Sequence, residues 1–345
     1  MSHFTVTVRL TAARLRRGPD IKAALDEILA PYDEASENPR FSAFVDEEDE
    51  MRADYARKST EYIRTPEGEL LLPFDERFRV AGTFGIGGIT HTPPPEFERV
   101  EMPFSTTYPT FAAYAKDWCG RGLDPKTGRY GYWHNPNAKW DWWVIGGRWA
   151  GYYPLVAGVK PIVGESGAFD NQPEAGHGDI VRVRDIDMAA VARAEMKAAD
   201  KFWGEWQRFL AGGKSKGGPS DVPRSRALDI GLLDVVKEPI PVPAPGTRVF
   251  PWTDLGVDDE RRSWSDVAKI VTRDEFYREY MCFFDELASY AGLDDDGWVE
   301  PGAMGWFGVS GATPNARREY YAWFRKRFID ACGPEDLLVL IDGHI

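Results

Sequence analysis

Two histidines and an aspartate stand at the extreme ends of this chain: His3 opens the first patterned segment, and Asp342-Gly343-His344 closes the last. Two imidazoles and a carboxylate are the donor set of a divalent metal, or of a general acid and base, if they meet. Meeting requires the two termini to pair. On an extended strand, residues two apart face the same way, so Asp342 and His344 share a side. His3 likewise shares the side of Thr5 and Thr7 rather than that of Phe4 and Val6. Against this stands the ordinary behaviour of chain ends, which are often polar and frayed.

A second set of chemical groups fills His134-Asn-Pro-Asn-Ala-Lys-Trp-Asp-Trp-Trp-Val-Ile-Gly-Gly-Arg-Trp149. Six of the 13 tryptophans fall between Trp118 and Trp149, with Asn135, Asn137, Lys139, Asp141 and Arg148 threaded among them. Flat apolar walls beside amide, ammonium, carboxylate and guanidinium groups are the composition of a pocket for a polar ligand with flat rings. Trp140 and Trp142 would stack on a base, while Lys139, Arg148 and the asparagines hold phosphate or ribose. His134 joins the terminal histidines if the middle of the chain folds over them. The competing reading is a packed aromatic core with structural ion pairs. His91 and His177, in Gly- and Pro-rich contexts, read as exposed loop residues.

Elements must position these groups. Phe4, Val6, Val8 and Leu10 alternate with His3, Thr5, Thr7 and Arg9, the period of a half-buried strand. Asp20 caps a helix with apolar positions Ile21, Ala24, Leu25, Ile28 and Leu29. Phe41 to Val45 reads as a short strand, and Asp46 to about Tyr62 as an exposed, charged helix whose acid run is a solvated start. Lys139 to Ile145 reads as a strand with Lys139 and Asp141 on one face and Trp140, Trp142 and Val144 on the other, so that Lys139, Asp141 and Arg148 form a cluster. Gly146-Gly147 then allows a bulge or tight turn. Helices follow from Met188 to about Leu210, from Arg273 to Tyr290 with Cys282 on the buried face, and from Thr313-Pro314, with Tyr320, Trp323, Phe324 and Phe328 inward. Met304 to Val309 suggests a turn and strand, and Leu337 to Ile341 a buried strand.

Three glycine- or proline-rich stretches read as connections. Phe84-Gly-Ile-Gly-Gly-Ile-Thr-His-Thr-Pro-Pro-Pro95 lacks the helix that a dinucleotide fingerprint requires and reads as a turn or lid. Residues 211–220 lack Walker spacing and read as a surface loop, and Pro239 to Pro245 as an extended crossing.

Strand, helix, strands, helix, strand is the order of an α+β, ferredoxin-like antiparallel sheet with packed helices. Here a long aromatic-rich insertion, 40–300, elaborates a core made of 1–35 and 301–345, all within one domain spanning 1–345. The first and last strands should then be antiparallel neighbours, bringing His3 near Asp342 and His344.

The 345 residues, 43% of them apolar, suffice for a large core. A net charge of −13 disfavours broad attraction to nucleic-acid backbones or anionic membranes. No apolar run reaches membrane-spanning length and no signal-peptide layout opens the chain, so a cytoplasmic protein is expected. Cys119, Cys282 and Cys332 form no metal or disulfide pattern and read as free thiols. A closed homodimer is the default assembly.

The opening Met1-Ser-His-Phe-Thr-Val6, the core 135–149, the segment Gly302-Ala-Met-Gly-Trp-Phe-Gly308 and the closing Asp342-Gly-His-Ile345 together resemble a family of uncharacterised proteins from bacteriophages and prophages. The resemblance spans both termini and implies origin and full-length architecture. That family has no assigned reaction, so the resemblance carries no catalytic residues across. Its members often end Asp-Cys-His-Ile; Gly343 departs from that pattern, and a cysteine nucleophile there is not available.

A phage accessory protein with such a pocket implies action in the host cytoplasm on a nucleotide-like small molecule, such as a host-defence signal. Binding, and a phosphodiesterase-like hydrolysis using His3, His134, Asp342 and His344 directly or through a metal, would be its chemistry. The alternative is a non-catalytic inhibitor that sequesters a ligand or binds a host protein. A virion structural component comes third, since repeats, heptads and fibrous composition are lacking.

Overall fold

The computed structural model describes residues 2–18, 20–36, 38–81, 89–166, 172–212, 222–237, 244–251, 264–305 and 310–345. They form two compact units, Met1–Asp33 with Lys139–Ile345, and Glu34–Ala138. The glycines of 84–88, most of the 211–220 loop, the proline-rich 239–243 and residues 306–309 lie outside the described residues.

In the larger unit the alternating opening forms strand β1 (His3–Leu10). Helix α1 (Ile21–Leu29) follows, its first turn held by the Asp20 carboxylate, which accepts from the Lys22 amide at 2.9 Å. Next come β2 (Trp142–Gly147), β3 (Glu165–Ser166) and β4 (Ile180–Arg182). Asp187 caps the long helix α2 (Met188–Leu210), and Thr272 with Glu275 makes a capping box for α3 (Arg273–Tyr280). The hairpin β5 (Ala291–Asp294) and β6 (Gly297–Val299) precedes α4 (Pro314–Phe324), which starts with the expected Thr313 cap and first-turn proline. Strand β7 (Leu337–His344) ends the unit.

These strands form one sheet in the order β3-β2-β7-β1-β5-β6, with β4 also on β7. The apolar run Leu337 to Ile341 makes β7 its central member. It lies antiparallel to β1 in unbroken register, from His3 opposite His344 to Leu10 opposite Leu337. The first and last strands therefore pair as the sequence predicts. β1 runs parallel to β5, so the sheet is mixed.

The α+β architecture differs from a ferredoxin-like sandwich in which both helices share a face. Phe4, Val6, Val8, Leu10, Val339 and Ile341 pack on α1. Leu338 and Leu340, on the opposite face, lie under Tyr320, Phe324 and Phe328. The sheet is thus covered on both sides, and β1 is not the half-buried strand expected. Thr7 is buried: its hydroxyl meets the Tyr153 hydroxyl at 2.8 Å, and its amide donates to Ser289 Oγ at 2.9 Å. A Thr7→Val variant leaves the buried Tyr153 hydroxyl without that partner and is expected to cost about 1–3 kcal/mol. Denaturant unfolding checks this, and adding Tyr153→Phe should recover part of the loss; no recovery would mean that the two hydroxyls are not energetically coupled.

Beyond α2 lies a second core, with Phe202, Trp206, Ile230, Leu233, Phe276 and Phe283 between helices and the antiparallel sheet of 233–237, 264–269 and 247–251. Helix α3 stops at Tyr280 rather than continuing to Tyr290. The next turn, 281–284, sends Phe283 and Phe284 inward and Cys282 outward, so Cys282 is exposed rather than buried.

In the unit Glu34–Ala138, the charged helix is shorter than expected, Glu48–Arg57, because Ser59-Thr-Glu-Tyr-Ile-Arg64 has strand alternation and pairs with Glu98–Pro103. Its start is not simply solvated: Glu48 is buried, accepting from Arg52 Nε at 2.7 Å and the Tyr130 amide at 2.9 Å. Ala43–Asp46 is the expected short strand and pairs with Tyr130–His134.

Candidate functional site: paired imidazoles at the joined strand ends

At the end of the β1 and β7 pairing the chain ends are clamped, not frayed. Ser2 N donates to Ile345 O at 2.9 Å and Ile345 N to Ser2 O at 3.0 Å. The His344 carbonyl also accepts from Asp141 N at 2.9 Å, and Trp142 pairs opposite His344. Residues opposite each other share a face, so His3, His344 and Trp142 stand in a row across three strands.

Each imidazole has its own carboxylate. His3 Nδ1 lies 2.8 Å from Asp342 Oδ1, and His344 Nδ1 lies 2.6 Å from Asp141 Oδ1. A carboxylate accepting from Nδ1–H fixes the tautomer and directs Nε2 to the chemistry. The two rings meet edge to face, with centroids 4.7 Å apart. Asp342 is 1% exposed and Asp141 42%, while the His3 and His344 side chains are 17% and 14% exposed. One pair is therefore anchored in the protein, and the other opens to solvent. Trp142, half exposed, stands edge-on to His3 at 6.1 Å.

The glycine pair explains how the buried carboxylate fits. Gly146 and Gly147 both take positive φ, 76° and 55°, producing the expected turn. A Cβ on Gly147 would lie 2.4 Å from Asp342 Oδ2. The turn also brings the Arg148 amide to Asp342 Oδ2, to which it donates at 3.0 Å. Beneath it, Asp179 is buried and accepts from the amides of Gly151, Tyr152 and Gly164 at 2.7, 3.0 and 2.9 Å. Burial pushes the Asp179 pKa up, and these three N–H groups oppose the rise only in part. A Cβ on Gly146 would come within 2.5 Å of it. Sequence reasoning missed Asp179: the preceding Gly176-His177-Gly178 gives no sign of its burial, and its local signal is an acid placed just before an apolar strand.

Lys139 and Asp141 do not share a strand face as expected, because the strand begins at Trp142, and they take separate partners, Glu300 and His344. The Lys139 and Trp140 amides instead donate to Tyr32 O, at 2.8 and 3.3 Å, and Trp140 packs against the β1 and α1 core. Lys139 Nζ reaches Glu300 Oε1 at 2.8 Å, and Glu300 Oε2 accepts from Trp298 Nε1 at 2.8 Å. Glu300, also missed, thus neutralises the lysine assigned to phosphate.

His134, Asn135 and Asn137 belong to the unit Glu34–Ala138. There Asn135 is buried and its side-chain carbonyl accepts from the Asn137 amide at 2.9 Å, the expected turn. His91 and His177 are half-buried in short strands rather than exposed in loops. Among the described residues, no three His, Cys, Asp or Glu side chains converge as metal ligands, and no helix is long and apolar enough to cross a membrane. No family model, curated protein or solved structure matches the chain.

Proposed function

We propose that this protein is a hydrolase of a nucleotide-like small molecule, working by general acid–base catalysis at His3 and His344. The observation that carries the proposal is the pair of imidazoles in edge contact, each with Nδ1 on its own carboxylate. Two adjacent rings provide a base for the attacking water and an acid for the leaving group. Trp142 supplies a flat surface beside them for a base to stack on. The resemblance to bacteriophage and prophage proteins fits an accessory role in an infected host, with a host-defence signal as the natural nucleotide-like substrate.

Incubation of the purified chain with linear and cyclic nucleotides and NAD-derived compounds, followed by mass spectrometry, tests this reading. New products that vanish in His344→Ala are expected. An intact compound released only on denaturation would replace catalysis with sequestration, the reading that the half-exposed Trp142 favours if the imidazoles are idle.

A further inference from the structure

We propose that the unit Glu34–Ala138 binds an organic ammonium ion in the cavity beside Trp133. The residues that carry this proposal all belong to that unit. It does not depend on the hydrolase reading.

An aromatic platform is the first part of the site. The strand Ala43–Asp46 pairs antiparallel with Tyr130–His134, which sets Phe44 opposite Trp133 on one face. Gly131, two residues before Trp133, shares that face. A Cβ there would lie 2.7 Å from Phe44 Cζ, so the missing side chain gives the Phe44 ring room over the strand. That ring meets the Trp133 ring with centroids 5.4 Å apart and planes at 56°. The indole is braced by this contact and is still 49% exposed. It forms one wall of a cavity of about 530 Å³, whose other walls are Glu34, Ala35, Ser36, Pro39 and Ser42. This volume lies within the range of small-molecule sites.

Charge selects the ligand. Among the described residues, Glu34 is the one charged group in these walls. The arginines that flank this strand in sequence are engaged elsewhere. Arg121 lies 4.6 Å from the ring of Tyr132, which alternation puts on the face opposite Trp133, and pairs with Glu47. Arg129 pairs with Asp46 and Asp49. Arg40, although next to Pro39 in the chain, is not a wall. A phosphate or carboxylate ligand would therefore meet a negative wall with no cation to offset it. A cation is favoured twice, by the negative face of the indole and by the carboxylate. The net charge of −13 acts in the same direction on its approach. The hydroxyls agree with this polarity: Ser42 Oγ gives its proton to Ser36 O and so offers the cavity only lone pairs. Pro39 and the indole supply apolar surface for the alkyl part of the ligand.

The test uses the full chain and ¹⁵N-correlated NMR of the indole N–H groups, with the Trp133 signal identified as the one lost in Trp133→Leu. The probes are choline, its uncharged isostere 3,3-dimethylbutan-1-ol, methyl glucoside and inorganic phosphate. Choline should shift the Trp133 signal saturably and more weakly as salt is added, while the isostere and phosphate leave it in place. Glu34 is exposed, so Glu34→Gln should keep the thermal midpoint and weaken choline by about 2- to 5-fold. Calorimetry on Trp133→Leu should show choline binding weakened by about 5-fold. Equal binding of the uncharged isostere would make the cavity a merely apolar recess and overturn the proposal. A response to methyl glucoside or phosphate without one to choline would overturn it in favour of a sugar or an anion, and no response to any probe would remove the site.

Discussion

An Asp342→Asn variant should lose between about 100-fold and 10,000-fold of turnover while keeping nearly the same shape. The size of the loss follows from the two groups that share this carboxylate. Oδ1 takes the His3 Nδ1 proton and Oδ2 takes the Arg148 amide proton. An asparagine has one acceptor oxygen and one NH₂, and both ways of placing them fail. With the oxygen toward His3, the NH₂ confronts the Arg148 N–H, donor against donor. With the oxygen toward Arg148, the NH₂ faces Nδ1 and forces the proton onto Nε2, the tautomer in which Nε2 cannot accept a proton from water. Steady-state kinetics on the substrate found in the nucleotide panel would measure the loss, and nitrogen NMR of His3 would show whether the tautomer has changed. Full activity with the tautomer inverted would mean that His3 takes no part in catalysis.

The largest single loss of stability is expected at the other end of the same strand pair. Arg9 donates to Asp336 Oδ2 through Nε at 3.1 Å and Nη2 at 2.7 Å. Asp336 also accepts from the amides of Ala12 at 2.9 Å and Gly333 at 3.1 Å. Both side chains are nearly buried. Asp336→Ala leaves the Arg9 charge and two amides without this acceptor, and should cost about 3–5 kcal/mol. Its pH dependence has a definite sign. Burial alone would raise the Asp336 pKa, but the Ala12 amide, Arg9 and the Gly333 amide outweigh it and hold the carboxyl below its usual range. A carboxylate depressed in the folded state contributes its full stability above the unfolded pKa and loses it as pH falls through the folded one. Urea unfolding should therefore show the full gap between wild type and Asp336→Ala near neutrality, closing progressively below about pH 4. A gap independent of pH would assign the loss to packing instead.

Much of the site's frame is written in local patterns. The alternation of Phe4 to Leu10 and the apolar run of Leu337 to Ile341 suffice to pair the first and last strands, and hence to bring His3, Asp342 and His344 together. The Asp20, Asp187 and Thr313 caps are equally local. What is not legible depends on partners distant in sequence. Ala291-Gly-Leu-Asp294 has too short a pattern to announce a strand parallel to β1. Nothing beside Thr7 signals that Tyr153 and Ser289 will bury it. Strand propensity already starts at Lys139 and so groups Asp141 with that lysine, whereas β2 begins at Trp142. The Tyr32 carbonyl, taking the Lys139 and Trp140 amides, decides where the strand starts. Glu300 escapes a sequence reading because its partners, Lys139 and Trp298, give it meaning only in space.

The closure of β1 on β7 has a consequence for the order in which this protein becomes competent. During synthesis His3 emerges long before its partner Asp342, which lies 339 positions further along the chain. A contact of such separation forms late, since the intervening chain must be ordered before the closure entropy is repaid. Chains interrupted anywhere before Asp342 carry His3 without that carboxylate behind it, so the pair forms only when the sheet is complete. Translation thus brings the two ends of the β1 and β7 pair together only after the intervening chain has been made, and an abandoned fragment lacks the His3–Asp342 contact altogether.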